Sequence, residues 1–311
     1  MAAFTVLILR AFAVAALGWA GAAQAHVLSA DDRATLHLRW TFEAWVVGLL
    51  VLSAALYAVG YVRLRARSRH SRTVRAVHCA AFALGWFALV AALDSPLDSL
   101  AAALFSAHML QHEALMLIAA PLLVIGRPLA VLMWALPVSL RVGVGCAVRS
   151  RWIRAPWRTI TTPLAAWLLH AAALWGWHAP VFFEAALARP GIHTLQHASF
   201  LVSALLFWWT VFGKTQRSER SAHAMLSLFT TMVHTGALGA LLTLSPGLWY
   251  PSYIESTSAL GFDPLQDQQL GGLVMWVPGG LAYLIGALAV AARWFAKHVP
   301  APMRARAAQD G

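Results

Sequence analysis

Long runs of apolar residues recur along almost the whole chain, and polar residues concentrate in the short segments between them. Each run has about 20 residues, which is the length that an α-helix needs to cross a bilayer. The apolar positions are continuous rather than alternating, which excludes a transmembrane β-barrel. The pattern predicts an all-α fold, a polytopic transmembrane helical bundle of about seven spans. The predicted spans are residues 42–62, 76–93, 100–125, 164–183, 193–212, 222–244 and 269–292.

The first 25 residues have the pattern of a cleaved secretory signal peptide. Arg10 precedes a short apolar stretch, and Ala23-Gln24-Ala25 has the small residues of a cleavage site. Cleavage there would leave His26 at the N-terminus, where its imidazole and free α-amine would form a copper-chelating pair. Without cleavage, the segment would add one span. Residues 26–300 are then predicted to form a single seven-helix transmembrane domain.

The positions of the basic residues predict the orientation. The chain has a formal net charge of +11, and most Arg and Lys lie in the loops after the first, third, fifth and seventh spans. Positive loops stay in the cytoplasm, so we expect the N-terminus outside, residues 301–311 as a short cytoplasmic tail, and a multi-pass membrane protein. The positive charge is explained by the orientation of the chain in the lipid bilayer and does not indicate binding to nucleic acid. Residues 128–148 are predicted to be a re-entrant or interfacial helix in a cytoplasmic connection.

Histidines carry the candidate chemistry, since 13 of them occur in a chain that is 60% hydrophobic. Ionisable side chains inside spans are costly and face the bundle interior or a cavity. His108 and His112 in span three, and His193 and His197 in span five, are four residues apart and therefore share a helix face. Further imidazoles at overlapping depths are His178 at the end of span four and His234 in span six.

These residues predict a metal site. Imidazole suits copper, zinc and iron, and a thioether adds a preference for Cu(I). Cys79 and Cys146 fall near the cytoplasmic side, so the predicted site lacks thiolates and would exchange its metal readily. Copper is favoured, with zinc or haem as alternatives. The accessory candidates are Met109, Met116, Glu113, Asp267 and Gln268. The methionines could instead simply pack in the core. Glu113 could accept from a buried donor or orient His112, and Asp267 could cap a helix.

Several motifs follow one another along the chain. They are His108-Met109-Leu110-Gln111-His112, Ala120-Pro121-Leu122-Leu123, Trp177-His178-Ala179-Pro180, His193 through His197, His234 with Gly239-Ala240-Leu241-Leu242, and Asp263-Pro264-Leu265 with Asp267-Gln268-Gln269-Leu270-Gly271-Gly272 and Met275-Trp276. With these motifs the chain resembles the CtaG family of cytochrome c oxidase assembly factors of the polytopic membrane type. The resemblance covers residues 40–292 and implies a role in maturing a haem-copper oxidase in a bacterial inner membrane, with copper delivery. The implied partners are haem-copper oxidase subunits and a periplasmic copper donor.

Nucleophile motifs, P-loops and dinucleotide fingerprints are absent from the sequence, so we expect no enzyme activity. Two other functions fit the histidines. A haem-binding membrane electron carrier would take its iron ligands from separate helices. A copper or proton-coupled transporter would need polar groups continuing to the cytoplasm, where His78, His170 and His223 are the candidates and none is paired with an in-span carboxylate.

Overall fold

The structure is a computed structural model that describes residues 38–67, 72–213 and 218–298, and every regular element in those ranges is helical. The predicted signal peptide, His26 and the predicted tail lie outside the described residues. The helices are α1 (Ala44–Arg67), α2 (Arg72–Leu93), α3 (Pro96–Ala101), α4 (Phe105–Glu113), α5 (Ala120–Gly126), α6 (Pro128–Ala135), α7 (Val138–Arg149), α8 (Arg151–Ile160), α9 (Pro163–His178), α10 (Pro180–Ala188), α11 (Pro190–Trp208), α12 (Ser218–Thr243), α13 (Ile254–Ala259) and α14 (Pro264–His298).

Six helical segments of the described chain are long and apolar enough to cross a membrane, which confirms a multi-pass helical protein. The predicted fourth span is instead divided, because Ala179 is extended (φ −63°, ψ 128°) before Pro180, a conformation that proline favours in its predecessor. The resulting α9 has 16 residues. The count of seven spans and the orientation of the termini stay predictions. The six segments are Ala44–Arg67, Arg75–Leu93, Phe105–Gly126, Pro190–Gly213, Ser221–Thr243 and Pro264–Ala296.

The third span contains a π-helical turn, Ala114–Ala119, between α4 and α5. Pro121 has no amide hydrogen, so the regular ladder is interrupted here, and the Ala120 amide donates to the Leu115 carbonyl five residues back. The Met116 carbonyl accepts instead from the Trp208 indole at 2.9 Å. Met116 therefore lies within a widened turn of the third span.

Close contact between α12 and α14 sets the position of the seventh predicted span. A Cβ added to Gly239 would lie 2.7 Å from the Gly272 carbonyl oxygen, and one added to Gly272 would lie 2.6 Å from the Thr243 nitrogen. Only glycine fits at such a crossing. Gly272 therefore permits the close approach of α12 and α14.

Residues 128–148 form two helices rather than one, because the chain is extended at Leu136 and Pro137. α6 packs against α1, where the Arg63 guanidinium donates to the Ala135 carbonyl at 2.7 Å. α7 has no buried residue. α6 packs within the bundle, so the interfacial alternative does not describe it, and the re-entrant alternative stays a prediction.

Three loops meet at the bundle end that the sequence predicts to be outside, which we call the outer end. They are residues 94–104, the α9–α10 corner and residues 244–263. The Tyr253 hydroxyl donates to the Ala101 carbonyl at 3.0 Å, and the Tyr250 hydroxyl donates to the His178 carbonyl at 2.7 Å. These contacts fasten the long loop over the helices that carry the histidines.

Candidate metal centre

Four imidazoles converge between α4 and α11. The ring centroids are 4.4 Å apart within the His108–His112 pair and 4.1 Å apart within the His193–His197 pair. Across the two helices, His108 lies 5.4 Å from His193, and His112 lies 5.1 Å from His197. The two pairs predicted from their spacing therefore form one cluster.

A single ion could be shared by part of this cluster. One ring nitrogen from each of His108, His193 and His197 lies within 4.8 Å of the others. Nitrogen ligands at about 2 Å from a tetrahedral metal are about 3.4 Å apart. Binding would therefore draw the three rings together by about 1 Å, which side-chain rotation can supply.

His178 brings a fifth imidazole from α9, with its ring centroid 6.2 Å from that of His112. Its Nδ1 lies 2.7 Å from the Leu174 carbonyl oxygen. A carbonyl can only accept, so Nδ1 carries the hydrogen of the neutral ring and Nε2 keeps its lone pair. His178 is thus set to offer Nε2 as a ligand.

Tyr253 fixes the tautomer of His108 in a similar way. Its hydroxyl oxygen lies 2.8 Å from His108 Nδ1 and donates its one proton to the Ala101 carbonyl. The oxygen must then accept from Nδ1–H, which leaves the Nε2 lone pair of His108 available. A metal-binding histidine is commonly oriented through its other ring nitrogen in this manner.

Five buried imidazole nitrogens of the described cluster have no hydrogen-bond partner. Buried polar atoms are nearly always paired, and leaving one unpaired costs about 1–3 kcal/mol. One of the two His112 nitrogens carries the hydrogen of the neutral ring, so four of the five atoms can offer a lone pair. Four such lone pairs at one place fit a site built to hold a cation, since a lone pair that coordinates an ion needs no hydrogen-bond donor. The five atoms are His108 Nε2, His112 Nδ1, His112 Nε2, His178 Nε2 and His197 Nε2.

Aromatic side chains close one side of the cluster. The Phe183 ring lies 5.2 Å from His108, and the Phe200 ring lies 4.6 Å from His112. Both phenylalanines are fully buried. They keep water from this side of the imidazoles.

The other side is reached through a cavity of about 430 Å³ bounded by α1, α2 and α11. Its walls are mostly apolar, as at Leu50 and Leu201, and two carboxylate residues, Glu43 and Asp98, also line it. His108, His193 and His197 form part of its lining. The three histidines that could share an ion are therefore the ones that this cavity reaches.

Comparison with known proteins identifies the family. Residues 55–297 match the family described as cytochrome c oxidase caa3 assembly factor, Caa3_CtaG. The chain belongs to this family. The match confirms the resemblance found in the motifs and includes all five imidazoles and Tyr253.

The chain is also similar to three mycobacterial proteins that are described as uncharacterized. Two uncharacterized proteins, from Mycobacterium bovis and Mycobacterium tuberculosis, are each 27% identical over 268 residues, and one from Mycobacterium leprae is 24% identical over 264 residues. Each alignment covers 82% of this chain and 39% of the relative's length. No solved structure matches the chain.

His234 is the one predicted ligand of this Caa3_CtaG chain that the structure does not bring to the cluster. Its ring centroid lies 5.6 Å from that of Trp167, and its Nδ1 accepts from the Trp175 indole at 3.4 Å. α12 therefore turns His234 towards tryptophans of α9. The prediction of His234 as a ligand is not supported by this placement.

The two methionines lie in apolar clusters. Met109 is fully buried with Phe105, Leu238 and Met275, and Met116 packs with Phe207 and other aromatic residues. These surroundings match simple packing, the second of the two roles that the sequence allowed. A thioether ligand from either methionine stays a prediction.

The two acidic candidates, Glu113 and Asp267, face other helices rather than the imidazole nitrogens. Glu113 is turned towards α14, where a Cβ added to Gly279 would lie 3.1 Å from its Oε2. This placement does not support the prediction that it orients His112. Asp267 accepts from the Phe105 amide at 2.7 Å and from the amide and hydroxyl of Ser106. It caps the N-terminus of α4, the helix that carries His108, and not that of its own helix.

Gln268 holds the outer loop. Its side-chain oxygen accepts from the Trp249 amide at 2.6 Å, and its nitrogen donates to the Gly247 carbonyl at 3.2 Å. The loop in turn carries Tyr250 and Tyr253, which sequence reasoning did not select as site residues. Burial raises the pKa of the Tyr250 phenol, so its hydroxyl stays protonated as the donor to the His178 carbonyl. The only sequence signal for these tyrosines is their place in a long, aromatic-rich outer loop.

Proposed function

We propose that this chain is an assembly factor that binds copper, as Cu(I), in the histidine cluster and delivers it to a haem-copper cytochrome c oxidase. One observation carries the proposal: five imidazoles from α4, α9 and α11 converge around buried nitrogens that lack hydrogen-bond partners. Neutral imidazole is a suitable ligand for copper. The family description supports a role in oxidase assembly and a non-catalytic function.

The arrangement suits transfer of the metal better than storage. His108, His193 and His197 would form the entry site at the cavity, with His112 and His178 as inner ligands. Cys79 packs near Tyr57 and Phe82, and Cys146 lies exposed on α7, so neither supplies a thiolate to the cluster. An ion held only by imidazoles on one wall of an open cavity can pass to a partner that presents stronger ligands.

The orientation of the chain in the membrane gives the direction of copper delivery. The cluster lies at the outer end, and the Arg-rich loops lie at the opposite end of the described helices. If those loops are cytoplasmic, copper enters from the periplasmic side, from a donor there, and leaves towards oxidase subunits in the same bacterial inner membrane.

The test is copper retention by purified protein with paired histidine variants. His108→Ala with His112→Ala is expected to abolish tight Cu(I) binding and oxidase maturation while the protein still inserts. His234→Ala is the matched control, since it removes an in-span imidazole outside the cluster and should bind copper normally. Wild-type copper content in the double variant would refute the ligand assignment.

A proton-coupled transporter is the second candidate, because of a buried polar chain below the cluster. His170 Nδ1 lies 3.1 Å from the Ser203 hydroxyl, and its Nε2 lies 3.3 Å from the Tyr283 hydroxyl. His170 of α9 is thus linked to hydroxyl groups of α11 and α14. Copper uptake by proteoliposomes containing the protein would favour this function over assembly alone.

A further inference from the structure

α8 has two unlike faces that the proposed metal function does not use. At 100° per residue, Arg151, Arg154 and Arg158 fall within about 60° of each other. The opposite side of the helix is apolar. None of the ten residues of α8 is buried in the bundle. The apolar side consists of Trp152, Ile153, Pro156, Trp157 and Ile160, and the exposed fractions are 76% for Trp152, 47% for Ile153 and 40% for Trp157.

The connection to α9 fixes α8 at the end of the bundle. The Thr161 hydroxyl donates to the Trp157 carbonyl at 2.7 Å, and the Thr162 side chain accepts from the Ala165 amide at the start of α9. Only two residues therefore separate α8 from a helix whose first turn already exposes an apolar Leu164 side chain. This places α8 at the level where the apolar surface of the bundle ends.

The charge around α8 has one sign. Residues 127–163 contain six arginines and no Asp or Glu. Arg151 stacks over the neighbouring Trp152 ring at 4.8 Å, and Arg141 stacks over Trp134 at 4.6 Å. Aromatic and arginine side chains arranged on separate faces of a short exposed helix are typical of helices that lie in a membrane interface.

We propose that α8 lies in the plane of the membrane surface and binds anionic phospholipid. Trp152, Ile153 and Trp157 enter the boundary between headgroups and acyl chains, where tryptophan is favoured. The three arginines of α8 meet the lipid phosphates, which guanidinium groups bind in a bidentate manner. An anionic bilayer satisfies both faces at once, because it offers acidic headgroups directly above an apolar layer.

The depth of the two faces is the first test. In the full chain with Cys79→Ala and Cys146→Ala, a fluorophore is attached to Ile153→Cys or to Arg154→Cys in nanodiscs of phosphatidylcholine and phosphatidylglycerol. Spin-labelled acyl chains should quench the label at position 153 strongly, and aqueous iodide should quench the label at position 154. Equal iodide quenching at both positions would overturn the proposal and would indicate a face held in water for a protein partner.

The lipid class is the second test, with a variant of matched charge. Arg151, Arg154 and Arg158 are changed together to Gln, and the control changes Arg65, Arg67 and Arg127 to Gln. Each arginine near an anionic surface changes binding by about fivefold. The preference for phosphatidylglycerol retained in native mass spectrometry should therefore fall at least about tenfold in the α8 variant and much less in the control. Equal losses in both variants would show a net-charge effect only and would overturn a site on α8.

Substitution by Lys at the same three positions separates charge loss from misfolding. The Lys variant keeps the charge and should retain most of the lipid preference. If neither the Gln nor the Lys variant alters lipid retention, the proposal is wrong.

Discussion

Replacing Tyr253 by Phe removes one hydroxyl that performs two tasks at the candidate metal centre. The hydroxyl accepts from His108 Nδ1–H at 2.8 Å and donates to the Ala101 carbonyl at 3.0 Å. The phenyl ring keeps its place, since Tyr253 is 3% exposed and packs against Phe105 and Phe183. The change therefore separates the orientation of His108 from the packing around it.

The magnitude follows from the two contacts. The Ala101 carbonyl and His108 Nδ1 are both left without this partner, which costs about 1–3 kcal/mol of stability. Losing the group that orients a metal-binding histidine typically lowers metal affinity by about 10–100-fold. We therefore expect Tyr253→Phe to lower the affinity for Cu(I) by about 10–100-fold. Without the hydroxyl, neutral His108 can place its hydrogen on Nε2, the nitrogen that faces the cluster.

The assay is a competition titration of purified protein with a colorimetric Cu(I) chelator, combined with thermal unfolding in detergent. Tyr250→Phe is the matched control, because it removes a buried phenol that donates to a backbone carbonyl, that of His178, and touches no imidazole nitrogen. It should lower the unfolding temperature similarly and copper affinity much less. Copper affinity of Tyr253→Phe within twofold of wild type would refute the tautomer argument.

The remaining predictions concern the supports of the site. Asp267→Asn weakens the cap of α4 and should lower stability by about 0.5–2 kcal/mol. The unfolding temperature and the copper affinity should both fall; an unchanged unfolding temperature and an unchanged copper affinity would contradict the capping role. Gly272→Val forces a side chain into the α12–α14 crossing and should reduce the yield of monodisperse protein in size-exclusion chromatography. Gly176→Val is the control and should leave this yield unchanged, because a Cβ at Gly176 meets no atom within 4 Å. Burial raises the pKa of the Asp94 carboxyl, so Asp94 binds a proton more tightly in the folded state than in the unfolded chain. Ionised Asp94 therefore lowers the stability of the fold at neutral pH. Asp94→Asn should therefore raise the unfolding temperature at neutral pH, by an amount that shrinks as the pH falls towards about 4; a constant difference across that pH range would contradict the assignment.

Local periodicity explains what the sequence could predict about the site. Residues four apart on a helix share a face, so each histidine pair followed from its spacing alone. Membrane burial then required both faces to turn inwards, and α4 and α11 do bring His108 and His193 together. Met116 lies within the π turn before Pro121 and packs with Phe207, and its role as a ligand stays a prediction.

Contacts between distant segments explain what the sequence could not predict. Tyr253 reaches His108 across 145 residues, and Asp267 caps α4 across more than 160 residues. Both contacts depend on the path of the outer loop, which no local pattern encodes. His234 shows the opposite case, since its depth in the membrane was compatible with the cluster but the rotation of α12 turns it to Trp167 and Trp175.

X-ray absorption spectroscopy of purified protein loaded with Cu(I) examines the ligand atoms directly. The account predicts a first shell of nitrogen alone, with the outer-sphere scattering of imidazole rings, which should be lost in the His108→Ala, His112→Ala variant. A sulfur shell, or an unchanged spectrum in that variant, would contradict a copper site made of the converging histidines.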